Sequence, residues 1–288
     1  MIDVLKQFVL GMVQGFSEFL PISSSGHIKL FQHLFGYQGE ENLIVSVLLH
    51  LGTLVAVLIV YHKLIWDMIK EFFGTIKDVF TGKFRFSTMN TTRRMLAMIL
   101  LSTIMLGFMI IPFGKYSLKD YIEMLNGAES LVPLGFAFLI TGCLLLFTFW
   151  YIRKKASAKE NATVKDAIII GGAQCIATVS GISRSGSTMA SGLLCGLSRE
   201  YMVKYSFIMS IPAIAAAALS DAKDVVSGEV ALTVEPIALI VGLISAMVFG
   251  VLSIKMIEWL IRKDRYNLFG YYCFGLGILV IILGILGK

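Results

Sequence analysis

A chain of 288 residues that is 57% hydrophobic and only 15% charged is no ordinary soluble domain, since those run at roughly 45–50% apolar and about 25% charged. Most of it must lie in lipid, and 27 glycines and five prolines set among long apolar runs suit broken helices, not the alternating short strands of a membrane barrel. The net charge of +6 does not point to nucleic acid as a partner, and none is expected, because the basic residues flank apolar segments and form no solvated basic face.

The N-terminal stretch is apolar over Phe8–Val13, but it has no basic leader and no small-residue cleavage site after it. The reading is an uncleaved first segment. Residues 5–20 would reach Pro21 after about 24 Å of helix at 1.5 Å per residue, short of a hydrocarbon core of roughly 30 Å. Pro21 and Gly26 interrupt the helix and a short apolar piece follows to Phe35, so residues 5–35 are expected to form a re-entrant hairpin. Irregular backbone at that depth is tolerated where it lines a polar cavity. Spans are expected at 43–61, 95–111 and 131–152. The intervening 64–85 segment sets Trp66, Ile69, Phe72, Phe73 and Ile76 against Lys70, Lys77 and Asp78, the pattern of a helix lying along an interface.

The second half begins with another short, interrupted stretch at 164–197, followed by spans at 202–220, 236–257 and 268–286. Its interruption repeats the first. Gly11/Gly171, Gln14/Gln174, Ile22/Ile182, Ser23/Ser183, Ser25/Ser185 and Gly26/Gly186 all match at a spacing of 160 residues. The expected fold is an all-α polytopic membrane protein in one integral membrane domain, built from repeats at 1–152 and 164–288. Each repeat holds one re-entrant hairpin and three crossings. Three crossings invert the second copy relative to the first, so that the hairpin tips meet near the midplane. Charge agrees: 62–94, 152–165 and 255–265 are basic, while the connections with Glu40 and Glu41, with Asp120, Glu123 and Glu129, and with Asp221, Asp224, Glu229 and Glu235 are acidic. By the positive-inside rule the basic loops are cytoplasmic.

An ionisable residue deep in a membrane segment costs at least ~2.5–3.5 kcal/mol on insertion scales and calls for a partner or a purpose. Glu18 and Arg184 stand out, one in each hairpin. A buried structural ion pair is the bland reading. The surroundings argue for more, because Arg184 lies in a Gly-Ile-Ser-Arg-Ser-Gly-Ser-Thr stretch. A small-residue loop feeding a helix N-terminus offers backbone N–H groups to an anion, and a guanidinium adds a forked donor matched to phosphate oxygens. In the first hairpin His27 is a candidate nucleophile or proton carrier, and Ser24 a candidate nucleophile if His27 takes its proton. Glu18 and Gln14 share a helical face and could hold a hard cation, Mg²⁺ or Ca²⁺. His33, His50 and His62 are read as packing residues, and so are Cys143, Cys175, Cys195 and Cys273, which have no paired spacing.

At these residues the chain resembles the bacterial undecaprenyl-diphosphatase family, linked to bacitracin resistance. Its first motif is matched by Gln14, Glu18, Phe19-Leu20-Pro21, Ser23-Ser24 and Gly26-His27, and its second by Gly181, Ser183-Arg184-Ser185 and Thr188. Two departures are Gln14, where many relatives carry Glu, and Ser180 in place of a proline. The resemblance implies hydrolysis of undecaprenyl diphosphate to undecaprenyl phosphate and phosphate, which recycles the lipid carrier of cell-wall synthesis. It further implies a divalent cation, with Glu18 and Gln14 in metal-binding or catalytic acid/base roles, and a multi-pass protein of the bacterial cytoplasmic membrane with its site facing the outer side. Ser24 or His27 would be the nucleophile and Arg184 the phosphate clamp. The substrate-binding set expected around them is Ser23, Ser25, Gly26, Ser183, Ser185, Gly186 and Thr188. Expected partners are the polyprenyl diphosphate lipid and the bilayer, with a homodimer left open.

Two other functions compete. An inverted-repeat transporter or flippase of polyprenyl phosphate would want the same anion clamp but no nucleophile. An acid-phosphatase-like lipid phosphatase would need a histidine soon after its Ser-Arg motif, and this chain has none beyond His62.

Overall fold

The computed structural model describes residues 2–34, 42–127, 130–153, 158–226 and 234–287. Phe35, Glu40, Glu41, Glu129 and Glu229, with the basic Lys154 and Lys155, lie outside the described residues. The molecule is helical: α1 (Ile2–Phe19), α2 (Ser24–Leu34), α3 (Asn42–Val60), α4 (His62–Phe80), α5 (Thr91–Ile104), α6 (Leu118–Asn126), α7 (Val132–Ile152), α8 (Val164–Ile176), α9 (Arg184–Leu194), α10 (Arg199–Val226), α11 (Pro236–Arg262) and α12 (Asn267–Ile285). A two-residue antiparallel ribbon, β1 (Pro112–Phe113) with β2 (Tyr116–Ser117), precedes α6.

Four of the described helical segments are long and apolar enough to cross a membrane: Thr91–Met109, Val132–Ile152, Pro236–Arg262 and Asn267–Ile285. A fifth is gained if α3 and α4, bent by 85° at Tyr61, count as one. The expected span at 95–111 is an α-helix only to Ile104; Met105–Ile110 tightens into a 3₁₀ turn before Pro112, which cannot continue a helix. The expected span at 202–220 lies within α10. Within it Met202, Tyr205, Phe207 and Met209 are almost fully buried.

Past the bend, α4 exposes Trp66, Ile69, Phe72, Phe73, Ile76, Val79 and Phe80. Its other side is tied to α5, where Arg93 bonds Glu71 at 2.7 Å and Asp78 at 2.6 Å while Asn90 caps α5.

Small residues set the helix spacing. α1 packs mainly on α11, and α7 on α12. A Cβ added at Gly11 would collide with the Gly242 carbonyl and come 2.8 Å from Ser245 Cβ, and one at Gly15 would lie 2.6 Å from the Ala246 carbonyl. Gly135 and Gly142 are confined in the same way by α12, and Gly270 and Gly277 by α7. Where lipid competes for apolar surface, such close backbone approach is a main source of helix association. All four cysteines are free, and Cys273 is fully buried.

The added Cβ of Gly11→Ala must displace backbone, whereas Gly172 has open space around its Cβ position. Overpacking costs about 1–3 kcal/mol, so Gly11→Ala should lower the thermal midpoint in detergent by several degrees. Gly172→Ala should leave it within about a degree, as thermal melts monitored by circular dichroism would show.

Candidate active site

Two helix breaks face each other. In the first, α1 stops at Phe19 before Pro21, and Ser23 takes a left-handed φ of 71°. In the second, that region is taken by Gly181, at φ 94°. Beyond these bends the turns are alike. Ser23 Oγ accepts the Gly26 N–H at 3.3 Å and lies 3.3 Å from Ser25 Oγ; Ser183 Oγ accepts the Gly186 N–H at 3.0 Å and lies 3.2 Å from Ser185 Oγ. The matching Ser-x-Ser-Gly residues therefore build the same local hydrogen bonds twice.

Ser24 and Arg184, equivalent positions of the repeat, are the first residues of α2 and α9. The tips touch: Ser185 Oγ donates to the Leu20 carbonyl at 3.0 Å, and a Cβ at Gly26 would stand 3.0 Å from Gly181 Cα. Thr141 of α7 secures the second turn, donating to the Gly181 carbonyl and accepting the Ser183 N–H, each at 3.1 Å.

Between the breaks lies a cavity of about 320 Å³ lined by Ser17, Glu18, Ser23, Ser24, Ser25, His50, Ala177, Thr178, Ile182, Ser183 and Arg184. Ser17/Ala177, Glu18/Thr178, Ser23/Ser183 and Ser24/Arg184 are repeat-equivalent pairs, so both copies wall the same space. Glu18 is its hub. Its Oε1 accepts Arg184 Nη2 at 2.5 Å, and its Oε2 accepts Ser24 Oγ at 2.6 Å and Gln14 Nε2 at 3.0 Å. The Glu18 side chain is 4% exposed and that of Arg184 is 23%. With the first turns of α2 and α9 both beginning at the cavity, their positive dipole ends make it suited to an anion.

The structure thus gathers Glu18, Ser24 and Arg184, with Ser23, Ser25 and Ser183 beside them and Gln14 behind the carboxylate. It does not bring the remaining expected residues to the cavity wall. His27 lies between α7 and α12, edge-on to Phe138 and stacked on Tyr272. Its Nδ1 is 2.7 Å from the Ser23 carbonyl and its Nε2 2.7 Å from the Tyr272 hydroxyl. A carbonyl can only accept, so Nδ1–H donates and Nε2 accepts from Tyr272. Gly26, Ser185 and Gly186 join the two tips. Thr188 faces α10, 2.7 Å from Ser206 Oγ.

The residues that sequence reasoning missed are His50, which lines the cavity from α3, and Asn126. Asn126 Oδ1 accepts the Ser180 N–H at 2.8 Å, its Nδ2 donates to the Thr178 carbonyl at 3.2 Å, and its own carbonyl accepts Lys29 Nζ at 2.6 Å. No local pattern marks either residue, because each acts through contacts made far away in the chain.

Fold and site together define a polytopic helical membrane protein with a serine-bearing anion cavity between two broken helices. The family model described as bacitracin resistance protein BacA matches residues 7–279. Proteins named undecaprenyl-diphosphatase are similar over nearly their whole length: one from Methanosphaera stadtmanae is 39% identical over 288 residues (99% of each chain), and one from Bacteroides thetaiotaomicron 38% identical over 279 (96% of this chain, 98% of the relative). Another, from Alkaliphilus metalliredigens, is 36% identical over 287 residues, with 98% of each chain covered. The chain belongs to the bacitracin resistance protein BacA family.

Removing one partner of a buried ion pair costs about 3–5 kcal/mol, and less where one side chain is partly solvated. Glu18→Gln and Arg184→Gln should each lower the thermal midpoint, and the double variant should lose less than the sum of the two. A double-mutant cycle measures that difference.

Proposed function

We propose that the chain hydrolyses undecaprenyl diphosphate to undecaprenyl phosphate and inorganic phosphate, with Ser24 as the nucleophile. The observation that carries this reading is the Ser24 hydroxyl donating to the Glu18 carboxylate inside the cavity that Arg184 shares. A transporter or flippase of polyprenyl phosphate would use the arginine but has no use for a hydroxyl held against a base.

The steps follow from that contact. Ser24 Oγ attacks the terminal phosphorus, the bond to the bridging oxygen breaks, and undecaprenyl phosphate leaves with the electron pair while Glu18 takes the hydroxyl proton. Water then attacks the phosphoserine. Glu18 returns its proton to Ser24 Oγ, and one water proton passes to solvent. Arg184 and the N-terminal N–H groups of α9 hold the charge that gathers on the phosphoryl oxygens. His27 is a positioning residue in this scheme, fixing the left-handed Ser23 carbonyl one residue before the nucleophile.

Among the described residues no three of His, Cys, Asp or Glu gather into a metal-binding group. One carboxylate with serine hydroxyls suits a Mg²⁺ or Ca²⁺ ion bound largely through diphosphate oxygens, not in a protein cage. Glu18 would hold the ion with Gln14 orienting the carboxylate, and the ion would supply charge neutralisation.

For architecture we read the two broken helices, residues 5–35 and 164–197, as re-entrant hairpins of inverted repeats at 1–152 and 164–288. Mirrored contacts support this. Ser245 of α11 donates to the Phe8 carbonyl of α1 at 2.8 Å, and Ser102 of α5 to the Ala167 carbonyl of α8 at 2.7 Å. Gly11 is crowded by α11, and its equivalent Gly171 by Ser102 and Met105. By the positive-inside rule the basic loops support a cytoplasmic position for α4, and we read the cavity as facing the outer side.

Phosphate release from undecaprenyl diphosphate by purified protein in detergent, with and without Mg²⁺ or Ca²⁺, tests the activity. Ser24→Ala should reduce turnover by about a thousandfold or more, and Arg184→Lys by about a hundredfold, because an ammonium cannot reproduce the fork. Label trapped from a terminal-phosphate-labelled substrate should survive acid as phosphoserine; acid-labile label would assign the attack to His27.

A further inference from the structure

His50 is the one residue of the cavity wall, among the described residues, that comes from outside both helix breaks. It also lines a second cavity of about 440 Å³, shared with Gln14, Ser25, Lys29, Ser46, Asn126 and others, so it stands where the two spaces adjoin. Its Nδ1 lies 2.7 Å from the Ser46 carbonyl and 3.4 Å from Ser46 Oγ. Because the carbonyl only accepts, Nδ1 carries a proton in every state of the ring. Nε2 has no hydrogen-bond partner among the described residues. The imidazole is therefore anchored at one nitrogen, and the other is left for a ligand.

The charges of the cavity give that nitrogen a task. Glu18 and Arg184 neutralise each other across 2.5 Å, so the empty site has little net side-chain charge with which to meet an anion. A diphosphate brings more than one negative charge. The charged groups facing His50 are Glu18 from α1 and Arg184 from α9 in one cavity and Lys29 from α2 in the other. α10 and α11, packed on α3, add no charged side chain to either among the described residues.

We propose that His50 is a phosphate ligand of this site, taking up a proton as the diphosphate binds and donating from Nε2 to one of its oxygens. This deepens the hydrolase reading and rests on it for the identity of the anion. The role is in binding, so it falls on KM and not on kcat. His50→Leu keeps the bulk but loses the donor, and a hydrogen bond to a charged group corresponds to about tenfold or more in affinity. His50→Gln keeps a neutral donor.

The experiment is steady-state hydrolysis of undecaprenyl diphosphate from pH 6 to 9 by native, His50→Leu and His50→Gln proteins of matched thermal midpoint. Alongside it, the affinity of inorganic diphosphate for each is measured by calorimetry. The expected result is a KM raised about tenfold or more in His50→Leu with kcat within about threefold, and recovery at neutral pH in His50→Gln. Native KM should also climb with pH relative to His50→Gln, approaching about tenfold per unit for one proton taken up. An unchanged KM in His50→Leu, or no recovery in His50→Gln, overturns the proposal. If no protein hydrolyses the lipid but inorganic diphosphate still binds with this dependence on His50, the hydrolase reading fails and the ligand assignment stands.

Discussion

The contact between Glu18 and Arg184 governs the rest of the structure. It joins the two halves of the chain at the point where both helices are broken, and it holds the proposed nucleophile, because the same carboxylate accepts Ser24. Charges at this depth would be prohibitive one at a time. Together they create the polarity that irregular backbone requires in an apolar setting. Around that contact, hydroxyls and amides complete the polar interior: Thr141 on the second turn, Ser185 across the tips and Gln14 behind the carboxylate.

The packing serves that placement. α1 carries Glu18 only if it lies deep against α11, and Gly11 and Gly15 allow its backbone to reach that depth. α9 carries Arg184, and Thr188 pins it to Ser206 of α10. Seams made of glycine and serine tolerate little adjustment, so small shifts in helix position are suppressed where a displacement of an ångström would separate Ser24 from Glu18.

Much of this was legible in the sequence, and the residues show why. The helix breaks were visible because Pro21 and the glycines are local signals. The repeat was visible because like turns demand like residues at like spacing. Glu18 and Arg184 were visible because charge in apolar sequence is rare. Orientation around the break was not visible. Ser24 and His27 share one turn, and only folding shows that three residues of helix carry the imidazole round to Phe138 and Tyr272 while the hydroxyl faces Glu18. His50 reads as one more polar residue on a long apolar helix, and its position depends on how α3 rests on α10 and α11. The ribbon before α6 and the 3₁₀ ending of α5 were missed because each is a short local adjustment around Pro112.

One consequence of the paired turns concerns direction. Identical copies, arranged as we propose, would treat the two leaflets alike and give the protein no sense of inside or outside. Position 18 is Glu where 178 is Thr, 24 is Ser where 184 is Arg, and 27 is His where 187 is Ser. On the proposed reading these three divergences convert a nearly symmetric scaffold into a vectorial one, with Glu18 and Ser24 carried by one broken helix and Arg184 by the other. Reaction and polarity then share one origin, since reverting the turns toward each other would erase both together.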